Sequence, residues 1–179
     1  MLQRYPRVAI AGLPGSGKST LAKILLIEYD GFGNRYTTNK ICSYVHGDEI
    51  LADNLIKVCR VLDSFIAEHF CIADLLAEDN DPPVDLVILL DIQEDLCRKR
   101  IANRQAHQVE VPCSSQELKN KMYSSIKKLK YKGITILVLN DDDEKYIEEN
   151  NLIGTRLMQY LLDKIDLQKN IKSDNRRLG

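Results

Sequence analysis

The residues with the clearest chemical potential lie in one short segment, Gly12 to Thr20, which reads Gly-Leu-Pro-Gly-Ser-Gly-Lys-Ser-Thr. Its spacing, G-x-x-x-x-G-K-[ST], is typical of a loop whose backbone N–H groups surround a phosphate chain. Lys18 would reach the β- and γ-phosphate oxygens, and the Ser19 hydroxyl would ligate Mg²⁺. The segment therefore predicts a nucleotide site. Its predicted contacts are Gly12, Pro14, Gly15, Ser16, Gly17, Lys18, Ser19 and Thr20.

Two carboxylates follow the next predicted strand, in the segment His46-Gly47-Asp48-Glu49. Ligands of open α/β sheets bind at the carboxyl ends of the strands, so these acids should lie beside the glycine loop. Asp48 or Glu49 could accept a hydrogen bond from an acceptor hydroxyl and orient or deprotonate it for in-line attack. A solvated turn, or a helix start rich in acids, explains the same residues equally well.

One further acid and a pair of arginines complete the candidate chemistry. Asp63 ends a weakly predicted strand and could hold Mg²⁺ through water, although an Asp before a helix is more often an ordinary N-cap. Arg100 and Arg104 share a helix face, beside the apolar face formed by Cys97 and Ile101. Two guanidinium groups could bind a transferring phosphoryl group, but alone a solvated basic face is the better explanation.

Strand and helix signals alternate along the chain, which is typical of a parallel sheet with crossover helices. The continuous apolar run 85–91 reads as a strand buried on both faces. Helices are expected after the glycine loop, over 65–76, through 104, from a capping box at Ser114 to Gly133, and over 153–165. The five predicted strands are 7–11, 41–45, 58–62, 85–91 and 134–139. The pattern predicts the α/β class with a five-stranded parallel sheet.

Length and composition favour one domain without a charged binding surface. The 179 residues, 44% of them hydrophobic, can bury one sizeable core, so we expect a domain at 1–168 and a polar, frayed tail at 169–179. The 25 basic and 26 acidic residues give a net charge of −1, which does not favour a nucleic-acid or membrane surface. Five scattered cysteines without a C-x-x-C pair fit neither a disulfide framework nor a zinc site, and no h-region opens the chain. These features favour a cytoplasmic protein.

In their order, these pieces resemble the P-loop nucleoside and nucleotide kinases, most closely the deoxynucleoside kinase and thymidylate kinase group. The resemblance rests on Gly12 to Thr20, Asp48-Glu49 with Asn54, Val61-Leu62-Asp63, and Leu86 to Arg104. It implies a three-layer α/β/α P-loop kinase fold with a five-stranded parallel sheet. It also implies an ATP- and Mg²⁺-dependent phosphotransferase acting on a nucleoside, a nucleoside monophosphate or a similar small acceptor.

The resemblance implies a role for each candidate residue. Phosphate contacts would come from Lys18, Arg100 and Arg104, and Mg²⁺ would be served by Ser19 and Asp63. Asp48 or Glu49 would meet the acceptor. The family's last strand leads into a loop near the adenine, which places Asn140 there.

Three departures from the family leave alternatives open. Ser64 stands where the family usually has an arginine after the third-strand acid. Ala106 stands where the helix that carries Arg100 and Arg104 often has a further arginine, and the segment between Thr20 and Asp63 is shorter than is usual in the family. The acceptor pocket could be smaller, more open, or completed by a partner subunit in a homodimer. Gly47-Asp48-Glu49 is also similar to the G-D-x motif of small-metabolite kinases.

Two other classes remain as alternatives to a kinase. A nucleotide-binding interaction module without turnover is compatible with Ser64 and Ala106. A GTPase-type switch would require an N-K-x-D sequence late in the chain, whereas Asn39-Lys40-Ile41-Cys42 is early and lacks the aspartate.

Overall fold

The computed structural model describes residues 3–29, 35–37, 42–47, 49–103 and 115–177 of the chain. Two predicted site residues, Asp48 and Arg104, lie outside these ranges, as does Ser114 of the predicted capping box.

Within the described ranges, the chain forms seven strands and seven helices. The strands are β1 (Arg7–Gly12), β2 (Ile27–Tyr29), β3 (Arg35–Thr37), β4 (Ser43–His46), β5 (Phe65–Glu68), β6 (Leu86–Asp91) and β7 (Thr135–Asn140). The helices are α1 (Lys18–Leu25), α2 (Ala52–Val61), α3 (Ile72–Glu78), α4 (Glu94–Ala102), α5 (Ser115–Tyr131), α6 (Asp141–Glu149) and α7 (Gly154–Arg177). None of the described helices is both long and apolar enough to cross a bilayer.

The main sheet has five parallel strands in the order β4-β5-β1-β6-β7, which confirms the predicted α/β class. The central strand β1 pairs with β5 from Arg7↔Phe65 and with β6 from Val8↔Leu86. Because β1 and β6 are covered on both faces, their side chains form a continuous buried apolar run. From β1 the chain continues to the half of the sheet that contains β4 and β5, and from β6 it continues to β7 at the other edge. A crevice therefore opens between the carboxyl ends of β1 and β6.

The helices cover the sheet in two groups, which gives the three-layer α/β/α arrangement. Helix α1 packs against α7, whereas α3 packs against α2 and α5. The apolar face of α5 is formed by Leu118, Met122, Ile126 and Leu129, which are all buried. The core is therefore made by the sheet and by one apolar stripe on each covering helix.

The third predicted strand is wrong, and its correction moves the site. Residues 58–61 belong to α2, whose buried positions Leu55 and Cys59 are one helical turn apart while Val61 is 79% exposed. The strand of this region is β5, within the segment expected to begin a helix; α3 starts only at Ile72. All four residues of β5 are buried, so they lack the alternation that marks a half-buried strand. Their sequence therefore fits the start of a helix as well as a strand.

Three smaller differences concern the chain around the sheet. Before β4, where the sequence predicts no strand, the described residues form a two-stranded antiparallel ribbon in which Ile27 pairs with Thr37. The loop expected after the last strand is a helix, α6, which begins at once after Asn140. The last helix, α7, continues to Arg177, where an irregular tail was expected.

Candidate active site

The glycine loop, residues 12–20, connects the carboxyl end of β1 to α1 and places Lys18 over its own backbone. The Lys18 ammonium donates hydrogen bonds to the carbonyl oxygens of Gly12 at 3.1 Å and Leu13 at 2.9 Å, and the side chain is buried. Glycine is required at Gly17, whose φ of 95° is a left-handed conformation. The loop therefore has the strand–loop–helix context and the lysine position that phosphate binding requires.

One buried polar atom in the loop has no partner. Among the described residues, the Ser16 hydroxyl is fully buried and makes no hydrogen bond. A Cβ atom at Gly12 would lie 2.4 Å from this hydroxyl oxygen, so Ser16 packs directly over the start of the loop. Buried hydroxyl groups normally have partners, and a phosphate oxygen in the loop would supply one.

Glu68, at the carboxyl end of β5, is the carboxylate that the structure places beside the loop. Its Oε1 accepts hydrogen bonds from the Ser19 hydroxyl at 3.1 Å, the Gly47 backbone N–H at 3.3 Å and the Tyr44 hydroxyl at 3.4 Å. Nε2 of His46 lies 3.6 Å from the same oxygen. With only 4% of the residue exposed, Glu68 is a buried charge at the centre of a polar cluster.

Gly47 is required by the close approach of β4 to β5 at this edge. A Cβ atom at Gly47 would lie 2.5 Å from the backbone oxygen of Glu68 and 2.9 Å from Cδ2 of His69. The absence of a side chain lets the Gly47 N–H reach the Glu68 carboxylate. It also fixes where the chain turns toward Glu49, whose N–H donates to the His46 carbonyl at 3.1 Å.

The hydroxyl of Tyr44 lies in a buried environment beside the Glu68 carboxylate. Burial, followed by the charge of Glu68, raises the pKa of Tyr44 far above its ordinary value, and the charge of exposed Glu49 adds to the effect. Tyr44 therefore serves as a hydrogen-bond donor to Glu68, and Glu49 lies near enough to the cluster to influence it.

Asp63 does not lie where its predicted role would require. It is exposed and precedes β5 by two residues, on the amino-terminal edge of the sheet, because Phe65 pairs with Arg7 at the start of β1. The glycine loop lies at the opposite edge. The prediction that Asp63 ends the third strand is wrong, because that strand is β5 and it ends at Glu68.

Helix α4 packs on the glycine loop and carries Arg100 to it. A Cβ atom at Gly15 would lie 2.4 Å from the Cys97 carbonyl oxygen, which shows how closely the helix approaches. Arg100 does not project into solvent: its Nη1 and Nη2 donate to Oε1 and Oε2 of Glu144 on α6, at 2.9 and 2.8 Å. This hydrogen bonding raises the pKa of Arg100.

A small open cleft separates α1 from α6 beside the loop. Its walls are mainly apolar, from residues such as Leu21, Ile24 and Ile147, with polar groups at Thr20 and Asn140. Asn140 is the N-cap of α6, where its side chain accepts the Asp143 N–H in a capping box. The position of Asn140 on the wall of this cleft is compatible with a nucleotide base nearby.

The first turn of α6 is anchored from α7. The buried Asp143 carboxylate accepts a hydrogen bond from the Tyr160 hydroxyl at 3.0 Å and forms an ion pair with Lys164. Burial lowers the pKa of Lys164. This anchor fixes the helix turn that presents Glu144 to Arg100.

Sequence reasoning missed Glu68 and Glu144 for different reasons. Glu68 was missed because the third strand was predicted at 58–62, whereas it lies at Phe65–Glu68. The signal available in the sequence was an apolar tripeptide, Phe65-Ile66-Ala67, followed by an acid. Glu144 is 44 residues from Arg100, and nothing in the local sequence indicates that pairing.

Comparison with known proteins gives weak structural similarity. No protein-family model matches the chain, and no match to a curated protein is found. A shikimate kinase from Bacteroides thetaiotaomicron is similar over 83% of this chain and 99% of its own, at 13% identity and a TM-score of 0.45. A sugar kinase from Janibacter sp. HTCC2649, in an unliganded structure, is similar over 80% of this chain and 90% of its own, at 18% identity and a TM-score of 0.46. Similarities this weak do not establish the family or the activity of the chain.

Proposed function

We propose that this chain is an ATP- and Mg²⁺-dependent phosphotransferase that acts on a small acceptor. The observation that carries the proposal is the contact of the Ser19 hydroxyl with the buried Glu68 carboxylate, beside a glycine loop in which Lys18 is already in place. This combination joins a phosphate cradle, a cation and a pair of oxygen ligands at the carboxyl edge of a parallel sheet.

The oxygen groups of Ser19 and Glu68 suit Mg²⁺. This ion prefers hard oxygen ligands, keeps several waters, and is commonly held by one or two protein oxygens together with substrate phosphates. Ser19 and Glu68 would hold the ion beside the glycine loop, where it would supply positive charge to the phosphate groups of ATP. The Gly47 N–H and the Tyr44 hydroxyl orient the Glu68 carboxylate for this task.

The residues of the chain divide the remaining work. Lys18 would exchange the carbonyls of Gly12 and Leu13 for the β- and γ-phosphate oxygens. Asp48 or Glu49 would accept the proton of the acceptor hydroxyl as its oxygen bonds to the γ-phosphorus and the bond from that phosphorus to the ADP oxygen breaks. Arg100 and Arg104 would bind the transferring phosphoryl group, whose charge spreads over several oxygens.

For the acceptor we propose a nucleoside, a nucleoside monophosphate or a similarly compact molecule. The close fit at Gly47 supports the similarity of Gly47-Asp48-Glu49 to the G-D-x acceptor motif of small-metabolite kinases. The resemblance to the deoxynucleoside kinase and thymidylate kinase group has lost one support, since Asp63 does not end a strand. The acid that ends the strand is Glu68, and it is followed by His69, where that group usually has an arginine.

An ATP-consumption screen over nucleosides, nucleoside monophosphates, sugars and other small hydroxyl compounds tests the proposal. We expect Mg²⁺-dependent ADP formation that rises with one acceptor class and is lost in the Lys18→Ala variant. ADP formation that no acceptor stimulates would contradict acceptor phosphorylation. ATP binding without ADP formation, with every acceptor, would favour a nucleotide-binding interaction module.

A further inference from the structure

Arg100 is fully engaged by a carboxylate at the mouth of the glycine loop. The two hydrogen bonds to Glu144, at 2.9 and 2.8 Å, form the paired arrangement in which an arginine also binds a phosphate. Both side chains are partly buried, with 30% of Arg100 and 24% of Glu144 exposed. The ion pair is therefore screened less than a surface pair.

The carboxylate of Glu144 stands close to the loop backbone that a nucleotide would contact. A Cβ atom at Gly17 would lie 3.2 Å from Oε1 of Glu144 and 3.9 Å from Nη1 of Arg100. Gly17 and Lys18 begin α1, where backbone N–H groups and the helix dipole attract anions. Glu144 thus places a negative charge where a phosphate group would also be attracted.

Glu144 is held at this point by the fold. It belongs to the first turn of α6, next to Asp143, which is anchored by Tyr160 and Lys164 on α7. Lys164 is the ion-pair partner of Asp143, and Arg100 is the ion-pair partner of Glu144. An anion that enters the loop must compete with Glu144 for that arginine.

We propose that Glu144 is an internal anion that holds Arg100 until a nucleotide phosphate replaces it. This inference rests on the proposed nucleotide site. Nucleotide binding then includes breaking the Arg100–Glu144 pair, so the observed affinity is lower than the contacts of the loop alone would give.

The test measures binding of ADP and of inorganic tripolyphosphate by calorimetry. Glu144→Gln keeps the shape of the side chain and removes its charge, and we expect it to bind both ligands about 10-fold more tightly than the wild type. Tripolyphosphate has no base, so an equal gain for both ligands locates the effect at the phosphates. Glu149→Gln is the matched control, because Glu149 is on the same helix, is exposed, and forms an ion pair with Lys145.

Arg100→Gln in both backgrounds separates this exchange from simple repulsion. If Glu144 competes for Arg100, the arginine substitution costs more affinity in the Glu144→Gln background than in the wild type, by about 3-fold or more. Equal costs in the two backgrounds would overturn the proposal. Thermal unfolding verifies that each variant is folded, and Glu144→Ala provides a second neutral variant.

The other outcomes are also decisive. If ADP binds but Glu144→Gln binds no more tightly than Glu149→Gln, or binds more weakly, Glu144 does not compete with phosphate and the proposal is wrong. If neither ligand binds the wild type or any variant, the nucleotide site itself is refuted, and this inference fails with it.

Discussion

Replacing Glu68 and Asp63 separately distinguishes the site seen in the structure from the site expected from the sequence. Glu68→Gln removes the negative charge but keeps an oxygen that can accept hydrogen bonds from Ser19 and Gly47, which lie at 3.1 and 3.3 Å. Asp63→Asn makes the same change of charge on an exposed residue at the opposite edge of the sheet. The two variants are therefore matched in chemistry and differ in place.

The expected magnitudes follow from these contacts. Because Glu68→Gln retains the acceptor oxygen, its cost to the free energy of unfolding should stay within about 2 kcal/mol, the difference between charged and neutral hydrogen bonds. Loss of a group that only orients a metal ligand usually changes metal affinity or activity by about 10- to 100-fold, and Glu68, as a ligand itself, should matter at least as much. We expect a rise of that size in the Mg²⁺ concentration at half-maximal rate. Asp63→Asn should change the free energy of unfolding by no more than about 0.5 kcal/mol. It should leave the Mg²⁺ concentration at half-maximal rate unchanged.

The assay is a Mg²⁺ titration of ATP turnover, accompanied by thermal unfolding of both variants. A cost of about 2 kcal/mol would lower the Tm of a chain of this size by no more than about 8 °C, so the Glu68 variant should remain folded at the assay temperature. A wild-type response to Mg²⁺ in folded Glu68→Gln would refute the assignment. So would an equal loss in Asp63→Asn.

Three further predictions concern the loop, the β4 edge and the arginines. Lys18→Ala should weaken ATP binding by about 10-fold or more in calorimetry, since charged hydrogen bonds are worth about 1.5–3 kcal/mol; unchanged affinity would exclude the glycine loop as the phosphate site. Gly47→Ala should lower the free energy of unfolding by about 1–3 kcal/mol and slow phosphoryl transfer, because its Cβ would lie 2.5 Å from a backbone oxygen of β5. Gly133→Ala is its control, since a Cβ there meets nothing within 4 Å and only the backbone at φ 82° is strained; equal rates in the two variants would show that the β4 edge is not part of the site. Arg100→Lys and Arg104→Lys should each slow single-turnover transfer with little change in Tm, and the pair should cost less than the sum; unchanged rates would exclude both arginines from binding the transferring phosphoryl group.

The glycine loop could be predicted from sequence because its information is local. The spacing of Gly12, Gly17, Lys18 and Ser19, between an apolar strand and a helical pattern, specifies the turn and its chemistry without reference to distant residues. The strand β6 could be predicted for a similar reason, since a long apolar run introduced by prolines has few alternative structures.

The acid at the end of β5 could not be assigned because two apolar runs competed for one strand. In α2, burial of Leu55 and Cys59 follows the helical period, but a window that begins at Val58 hides it. The four residues of β5 are too short and too uniformly buried to show a strand period. A shift of a few residues was enough to move the predicted metal ligand to the wrong edge of the sheet.

Helix α6 and the Arg100–Glu144 pair illustrate two different limits. The helix had a local signal, because Asn140 and Asp143 form a capping box, but the resemblance to kinases with a loop in that place outweighed it. The ion pair had no local signal. It depends on how α4 and α6 meet over the glycine loop, and that follows from the order of strands in the sheet.

The most direct test of the proposed function is the fate of the γ-phosphoryl group of ATP. With ATP isotopically labelled in the oxygens of that group, the acceptor identified by the screen should be recovered as a phosphorylated product that carries the label, in a Mg²⁺-dependent reaction that Lys18→Ala abolishes. Mass spectrometry of the product also shows whether the acceptor supplies the bridging oxygen, as attack by its hydroxyl requires. Label recovered only in inorganic phosphate, or ATP left intact with every acceptor, would contradict the proposal that this chain is a phosphotransferase.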